Sequence, residues 1–398
     1  MKVLMLTPYL PYPPSSGGQI RSYNLIKELS KKHKITLYSL IKHEEDRKYV
    51  KELKKFCSQV KVFKRSKNPW TLRNVLLTGV SSLPFLAILN FSDEEKKDLA
   101  KLLSKEKFDI IHAETFYVSP HIPQNNTPFV LVDQTIEYQV YEHFVKNFKW
   151  WPLKPLLWID VLKIKFWETY YWKKATKVIA VSEKDAEVMK LYVPKNKVEI
   201  VPNPVGEDLM KKVPIHYSKQ ILFMGNYNWM QNVEAAEILV EKIFPKIKKA
   251  VPGATLVIAG QNIEKVSHLK NPSIEVTGLS IDDIAGVVNA YHTSGILLAP
   301  LYGPAGGRVK IIGAMAAMLP VVTTTIGIQG IDAVNNESAL FARDPDELVD
   351  LAVQLLTDKG LYKKIAINAR RLAEERYSYQ SIAKKLDLVY TEAAYGKN

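Results

Sequence analysis

Residues 305–330 read AGGRVKIIGAMAAMLPVVTTTIGIQG. A glycine pair opens a helix-forming run, and Pro320-Val321-Val322 follows as a buried strand with almost no loop between them. That order belongs to an α/β layer in which helices cover a parallel sheet. Gly306 and Gly307 let backbone approach a ligand, the helix start offers unpaired N–H groups, and Arg308 and Lys310 add positive charge. Cations in a first helical turn oppose the helix dipole, and a bound anion removes that conflict. A diphosphate suits such a well. The GxGxxG fingerprint is absent, which argues against a nicotinamide enzyme.

Outward from this stretch, short apolar runs alternate with helical patterns along the whole chain. In the first half, strands are read at Val3–Leu6, Ile35–Leu40, Val60–Phe63, Ile110–His112, Phe129–Val132 and Val178–Val181, with helices over Gly18–Lys31 and Asp46–Phe56. In the second half, strands at Ile221–Met224, Thr255–Ala259, Ile274–Val276, Gly295–Ala299 and Val321–Thr324 alternate with helices near 232–249, 281–290, 308–318 and 346–357. Alternation implies right-handed crossovers and parallel sheets. Two Rossmann-like, doubly wound α/β domains follow, 1–200 and 201–375, joined by the stiff Ile200-Val201-Pro202-Asn203-Pro204. The last helical stretch bends near Tyr377-Ser378-Tyr379, and 376–398 is a candidate to cross back to the first domain. Ligands bind such folds outside the carboxyl ends of the strands.

A chain of 398 residues with 47% hydrophobic and 24% charged residues has the size and composition for two cores. The net charge of +14 suits nucleic acid, an anionic lipid surface or anionic small molecules such as nucleotide sugars, and its sign alone does not choose among them. The lone Cys57 cannot form an internal disulfide or a thiolate metal site, so a reducing cytoplasm is expected. Val3–Leu6 is too short for a signal-peptide core, and no uninterrupted apolar run is long enough to span a bilayer.

The order of a Gly-rich turn, a basic pair, a helix and Pro-Val-Val resembles the donor site of retaining glycosyltransferases of the GT-B fold (glycosyltransferase family 4-like, group 1). In those enzymes a Glu-Ala-Met-Ala helix stands where this chain has Gly313-Ala314-Met315-Ala316. Met224–Asn232 resembles the Gly-Ser-Met-Asp-Trp-x-x-Asn turn of one subgroup, with Gly260, Thr277-Gly278, Arg308 and Lys310 following in matching order. The resemblance implies two domains facing across a cleft, and a nucleotide diphospho-sugar as donor with a glycan or lipid-linked acceptor. It also implies retention of configuration and no cofactor or essential metal. Nucleic acid is not an expected partner. Arg308 and Lys310 would stabilise the departing diphosphate, and Gly17, Gly18, Gly306 and Gly307 would admit it. Gly225, Asn226, Gly278 and Leu279 would border the nucleotide. Gly313 removes the carboxylate that receives the ribose hydroxyls in the family, at a cost of about 1.5–3 kcal/mol in donor binding. A degenerate, binding-only GT-B subunit is the alternative, and an epimerase of similar architecture ranks last.

Asn232 is a candidate helix cap. Arg21 would reach an anion or solvate its helix. At the end of the strand reaching Val132, relatives carry a His where this chain has Gln134 or Thr135. Either can bind a sugar hydroxyl, but neither shuttles a proton near neutral pH. Asp133 and Glu137 are polar candidates beside them, with turn and helix-start carboxylates as the plain alternative. His112 is a secondary candidate. Lys146–Lys177 holds five of the seven tryptophans and eight lysines against Asp160 and Glu168. Packing on the first domain accounts for the helix body, whereas Trp150, Trp151 and the neighbouring lysines suit an anionic membrane surface.

Overall fold

The computed structural model describes residues 1–14, 16–148, 150–211, 214–280, 283–302 and 309–396. The chain divides into two compact units, one of residues 1–202 with the chain from Ala383 onward, the other of Asn203–Ile382.

The first unit holds a seven-stranded parallel sheet in the order β3-β2-β1-β4-β5-β6-β7. Its strands are β1 (Lys2–Thr7), β2 (Lys34–Ile41), β3 (Gln59–Lys64), β4 (Ile110–Glu114), β5 (Phe129–Asp133), β6 (Lys177–Ala180) and β7 (Val198–Ile200). The second unit holds six parallel strands ordered β10-β9-β8-β11-β12-β13. These are β8 (Gln220–Asn226), β9 (Thr255–Gln261), β10 (Ile274–Gly278), β11 (Ile296–Ala299), β12 (Val321–Thr324) and β13 (Leu340–Ala342). The inner strands are buried on both faces: β1 from Val3 to Thr7, and all of β4, β5, β11 and β12. Helices on both sides of a parallel sheet make this necessary, and it is why the strands read as continuous apolar runs rather than alternating ones. In each sheet the winding reverses beside the first strand, between β1 and β4 and between β8 and β11. Such a reversal opens a crevice at the carboxyl edge.

The helices used below are α1 (Gly17–Leu29), α2 (Leu72–Val80), α3 (Phe85–Leu89), α4 (Glu137–Asn147), α5 (Lys154–Lys174), α6 (Met230–Ile238), α7 (Ile284–Thr293), α8 (Val309–Ala316), α9 (Lys359–Tyr377) and α10 (Tyr379–Tyr395). Three sequence expectations are corrected. Asp46–Phe56 is not one helix but a 3-10 turn, Glu44–Tyr49, running into Val50–Leu53. Asn232 does not cap α6, which starts at Met230 with Trp229 before it, because the Asn232 side chain is drawn into bonds described below. The helical stretch near 232–249 is broken by a π turn over Leu239–Ile243, and α-helix resumes at Phe244–Ala250 with Pro245, which has no N–H to donate, in its first turn. The two three-residue strands β7 and β13, both at sheet edges, were not read from sequence.

Candidate active site

In the second unit, parallel register sets three glycines side by side at the carboxyl edge, Gly225 against Gly260 and Gly260 against Gly278. Gly260 has φ +137°, and a Cβ there would overlap the Gly225 carbonyl. Only glycine fits. At Gly225 a Cβ would press on the Asn232 side chain, 3.0 Å away. The result is an edge of bare backbone across three strands. The Leu279 N–H continues it by donating to the Gly260 carbonyl at 2.8 Å, while the Leu279 side chain joins the core.

Amides brace this edge. Asn226 Nδ2 donates to Gln261 Oε1 at 3.0 Å, and Asn262 Nδ2 donates to Asn226 Oδ1 at 2.9 Å. Asn232 Nδ2 donates to the Asn226 carbonyl at 2.8 Å, and Asn232 Oδ1 accepts from Lys310 Nζ at 2.6 Å. The Lys310 ammonium also lies 4.7 Å from the Phe223 ring centroid. Lys310 is thereby held in the first turn of α8, and Asn232 links it to the strand that carries Gly225. Gly306, Gly307 and Arg308, named from sequence as donor-site residues, lie outside the described residues.

Gly313 is buried in the middle of α8. A Cβ there would stand 3.2 Å from Leu209 Cδ1 and 3.3 Å from the Tyr291 hydroxyl. That hydroxyl donates to the Lys310 carbonyl at 3.2 Å, and burial raises it above the ordinary phenol range. A side chain at 313 would therefore require Tyr291 and Leu209 to give way by a few tenths of an ångström. Gly313 thus stands where α8 runs close to the Tyr291 side chain of α7 and to Leu209.

The first unit's carboxyl edge is built differently. Ser16 accepts a bond from the Gln19 N–H at the start of α1. Nothing lies within 4 Å of where a Cβ at Gly17 would be, but at Gly18 a Cβ would overlap the Tyr9 hydroxyl and stand 3.3 Å from Gln134 Oε1. Gln134 is hydrogen-bonded to the Tyr9 hydroxyl, and its Nε2 donates to Glu114 Oε2 at 2.7 Å. Glu114 Oε1 faces His112 Nε2 at 3.1 Å and Arg21 Nε at 3.9 Å. Burial raises the Glu114 carboxyl, but the His112 hydrogen bond and charge, with Arg21 and Gln134, hold it below the usual carboxylate range. An ionised carboxylate only accepts, so His112 Nε2 carries the proton and Nδ1 pairs with the Tyr390 hydroxyl at 2.6 Å.

Arg21 is 1% exposed and donates from Nη1 to the Pro202 carbonyl at 2.8 Å. It neither solvates α1 nor reaches outward, because the buried Glu114 draws it in. His112, equally buried, serves the same cluster. Asp133 is 1% exposed, with Oδ1 accepting from the Phe116 N–H at 2.9 Å and Oδ2 from the Trp172 indole at 2.5 Å. Burial raises its carboxyl and those two bonds lower it in part. Glu137 is pushed up to about 8 by burial and then by the charge of Asp133. No residue before α4 supplies a side-chain cap; Glu168 of α5 instead accepts from the Glu137 and Tyr138 N–H groups at 2.8 and 3.1 Å. Thr135 is exposed. Of the residues read at this edge, Gln134 and Gly18 both border the Tyr9 side chain, whereas Asp133 is tied into the scaffold. Tyr9, Glu114 and Tyr390 were missed from sequence. An acid closing the apolar run Ile110–Ala113 was the available signal for Glu114. Among the described residues no His, Cys, Asp and Glu side chains gather in a set of three suited to a metal.

Two doubly wound units, one edged with bare glycine backbone and a tethered lysine, the other with a fixed polar cluster, define a GT-B architecture. The family model described as Glycosyltransferase Family 4 matches residues 15–209, and that described as Glycosyl transferases group 1 matches 218–358. The chain belongs to the GT-B glycosyltransferases. It is 22% identical to an uncharacterized 44.6 kDa protein in the cps region of Klebsiella pneumoniae, over 96% of this chain and 97% of that one. Among solved structures it resembles sucrose-phosphate synthase from Thermosynechococcus elongatus, with TM-score 0.67, 15% identity and 98% of each chain covered. It also resembles Anabaena HepE, solved in complex with UDP and glucose, with TM-score 0.62, 14% identity, and 98% of this chain and 100% of that one covered.

Proposed function

We propose that this glycosyltransferase moves a sugar from a nucleotide diphospho-sugar to a hydroxyl of a glycan or lipid-linked acceptor, with retention of configuration. The observation that carries the reading is the row Gly225, Gly260 and Gly278 beside the tethered Lys310. That edge pairs bare backbone with a cation suited to phosphate. The UDP and glucose bound by HepE and the cps-region setting of the Klebsiella relative support the same direction.

In this reading Lys310, with Arg308, offsets the charge that builds on the diphosphate as the bond from the anomeric carbon to phosphate oxygen breaks. The acceptor oxygen bonds to the same face of that carbon, and its proton passes to the departing phosphate oxygen. No protein base is then required. Asp133 has a positioning part in this scheme, since it ties the strand end carrying Gln134 to Trp172. Gln134, held between Tyr9 and Glu114, is fixed to hydrogen-bond a sugar hydroxyl.

The test is a panel of nucleoside diphosphates and their sugars against the parent chain and Lys310→Ala, read first by thermal shift and then by turnover. One donor at a hundred times its Kd should stabilise the parent by about 2.7 kcal/mol. Lys310→Ala should lower kcat/KM about 10²- to 10³-fold, as loss of a positioned charge donor does. No stabilisation and no turnover with any donor would sink the transferase reading.

A further inference from the structure

No helix among the described residues is long and apolar enough to cross a membrane, yet the first unit carries a large apolar surface. On α5 the residues Val161, Ile164, Glu168, Tyr171 and Trp172 are buried. The opposite face shows Leu156, Ile159, Leu162, Phe166 and Tyr170, 42–62% exposed at three- and four-residue spacing. The helix is therefore apolar on both sides, and the first unit's core covers one of them. Trp150 and Trp151, just before it, are 71% and 78% exposed.

A second helix adds to this face. Lys163 of α5 donates to the Thr78 and Ser81 carbonyls at 2.6 and 2.7 Å, closing the carboxyl end of α2. Trp167 Nε1 donates to the Ser82 carbonyl at 2.8 Å, and the Phe85 N–H at the start of α3 donates to Asp160 Oδ1 at 2.8 Å. So fastened, α2 leaves Leu72, Leu76 and Val80 exposed, and Trp70 with them.

The charges are sorted as well. Both acids of α5 turn inward, Asp160 to α3 and Glu168 to α4. Lys165, Lys173 and Lys174 of α5, with Arg73 of α2 and Lys67 before it, stay exposed. An apolar stripe flanked by tryptophans and lysines, with its acids withdrawn, matches the interface of an anionic bilayer better than a protein partner, which would not demand one sign of charge.

We propose that the outward face of α5, with α2 and the Trp150-Trp151 pair, lies on an anionic lipid surface. This deepens the reading of the acceptor as lipid-linked, and its test needs no nucleotide sugar. Flotation of the full chain with vesicles of phosphatidylcholine, alone or mixed with phosphatidylglycerol, measures binding. Blue-shifted tryptophan emission gives a second readout on the unmodified protein. Binding should require phosphatidylglycerol and weaken with salt. It should fall roughly tenfold or more in Leu162→Glu/Phe166→Glu, a variant changed only at exposed positions. Lys165→Glu/Lys173→Glu/Lys174→Glu should lose the preference for the anionic lipid. Absence of binding by the unmodified chain overturns the proposal, as does equal binding to neutral vesicles. A self-associating chain that Leu162→Glu/Phe166→Glu renders monomeric overturns it too, because the face would then belong to a second copy. Donor turnover by a chain that ignores vesicles would leave the transferase reading standing, and vesicle binding without turnover would leave this one.

Discussion

The two carboxyl edges solve opposite problems. The second unit presents backbone: Gly225, Gly260 and Gly278 in register, a frame of asparagine and glutamine amides, and a lysine held by one of them. The first unit presents side chains, with Glu114, Arg21, His112, Gln134 and Tyr390 closed on one another. An edge of bare backbone takes its shape from φ values and register. An edge of buried charges takes its shape from mutual pairing, and its strength depends on protonation. The same fold therefore yields one side sensitive to added atoms and another sensitive to pH.

The largest effect should come from adding one methyl group to the backbone edge. Gly260→Ala puts a Cβ into the Gly225 carbonyl at a φ that alanine avoids, and urea melts should show a loss of about 3 kcal/mol or more. If the loss stays below about 1 kcal/mol, the glycine row is not a steric requirement and the contrast fails.

The next effect is confined to the first unit. Glu95 is fully buried and burial pushes its carboxyl up to about 8, while its neighbour His121 is pushed down to about 4. The 3.7 Å contact between them is thus between neutral groups near neutral pH. His121 Nε2 accepts from the Ser92 N–H at 2.9 Å, which agrees with a neutral ring. A raised folded-state pKa means the folded unit binds more protons than the unfolded chain between about 4.5 and 8. The stability Glu95 contributes is present below that window and falls as pH rises through it, by about 1.4 kcal/mol per pH unit at most. His121 acts in the other direction, losing its contribution as pH falls from about 6.5 towards 4. Hydrogen exchange at pH 6 and 8.5 should show the first unit loosening with pH and the second nearly unchanged. Glu95→Gln should reduce the slope, the remainder belonging to Glu137 and Asp133, whose carboxyls burial also raises, and an unchanged slope in that variant would assign the response wholly to them.

The smallest effect sharpens the link between backbone edge and cation. Asn232→Ala removes the bonds to Lys310 Nζ and to the Asn226 carbonyl, and should cost about 1–2 kcal/mol of stability or donor affinity. Asn232→Asp should keep the bond to Lys310 and recover most of the donor affinity. If both variants bind donor as the parent does, the tether has no part in the site.

The architecture was legible from periodicity because buried parallel strands announce themselves as apolar runs. Gly225, Gly260 and Gly278 could each be singled out, but that they form one row depends on register across β8, β9 and β10, which no local pattern encodes. Asn232 looked like a cap because its residue type favours one; a lysine 78 positions later claims the side chain instead. Asp133 and His112 looked available because sequence shows neither the Trp172 indole nor the Tyr390 hydroxyl that occupies them. At position 313 the glycine stood out in the helix pattern, while the Tyr291 side chain close to it did not. β7 and β13 escaped because three residues at a sheet edge carry too little pattern to count.

The bond between His112 and Tyr390 also dictates an order of events at the ribosome. Its two partners are 278 positions apart, and the whole of the second unit is encoded between them. At roughly 5–20 residues per second, His112 leaves the exit tunnel tens of seconds before Tyr390 exists. The second unit can complete its sheet during that wait, while the first must hold an open place for the last helix. The unit that begins synthesis first is the one finished last.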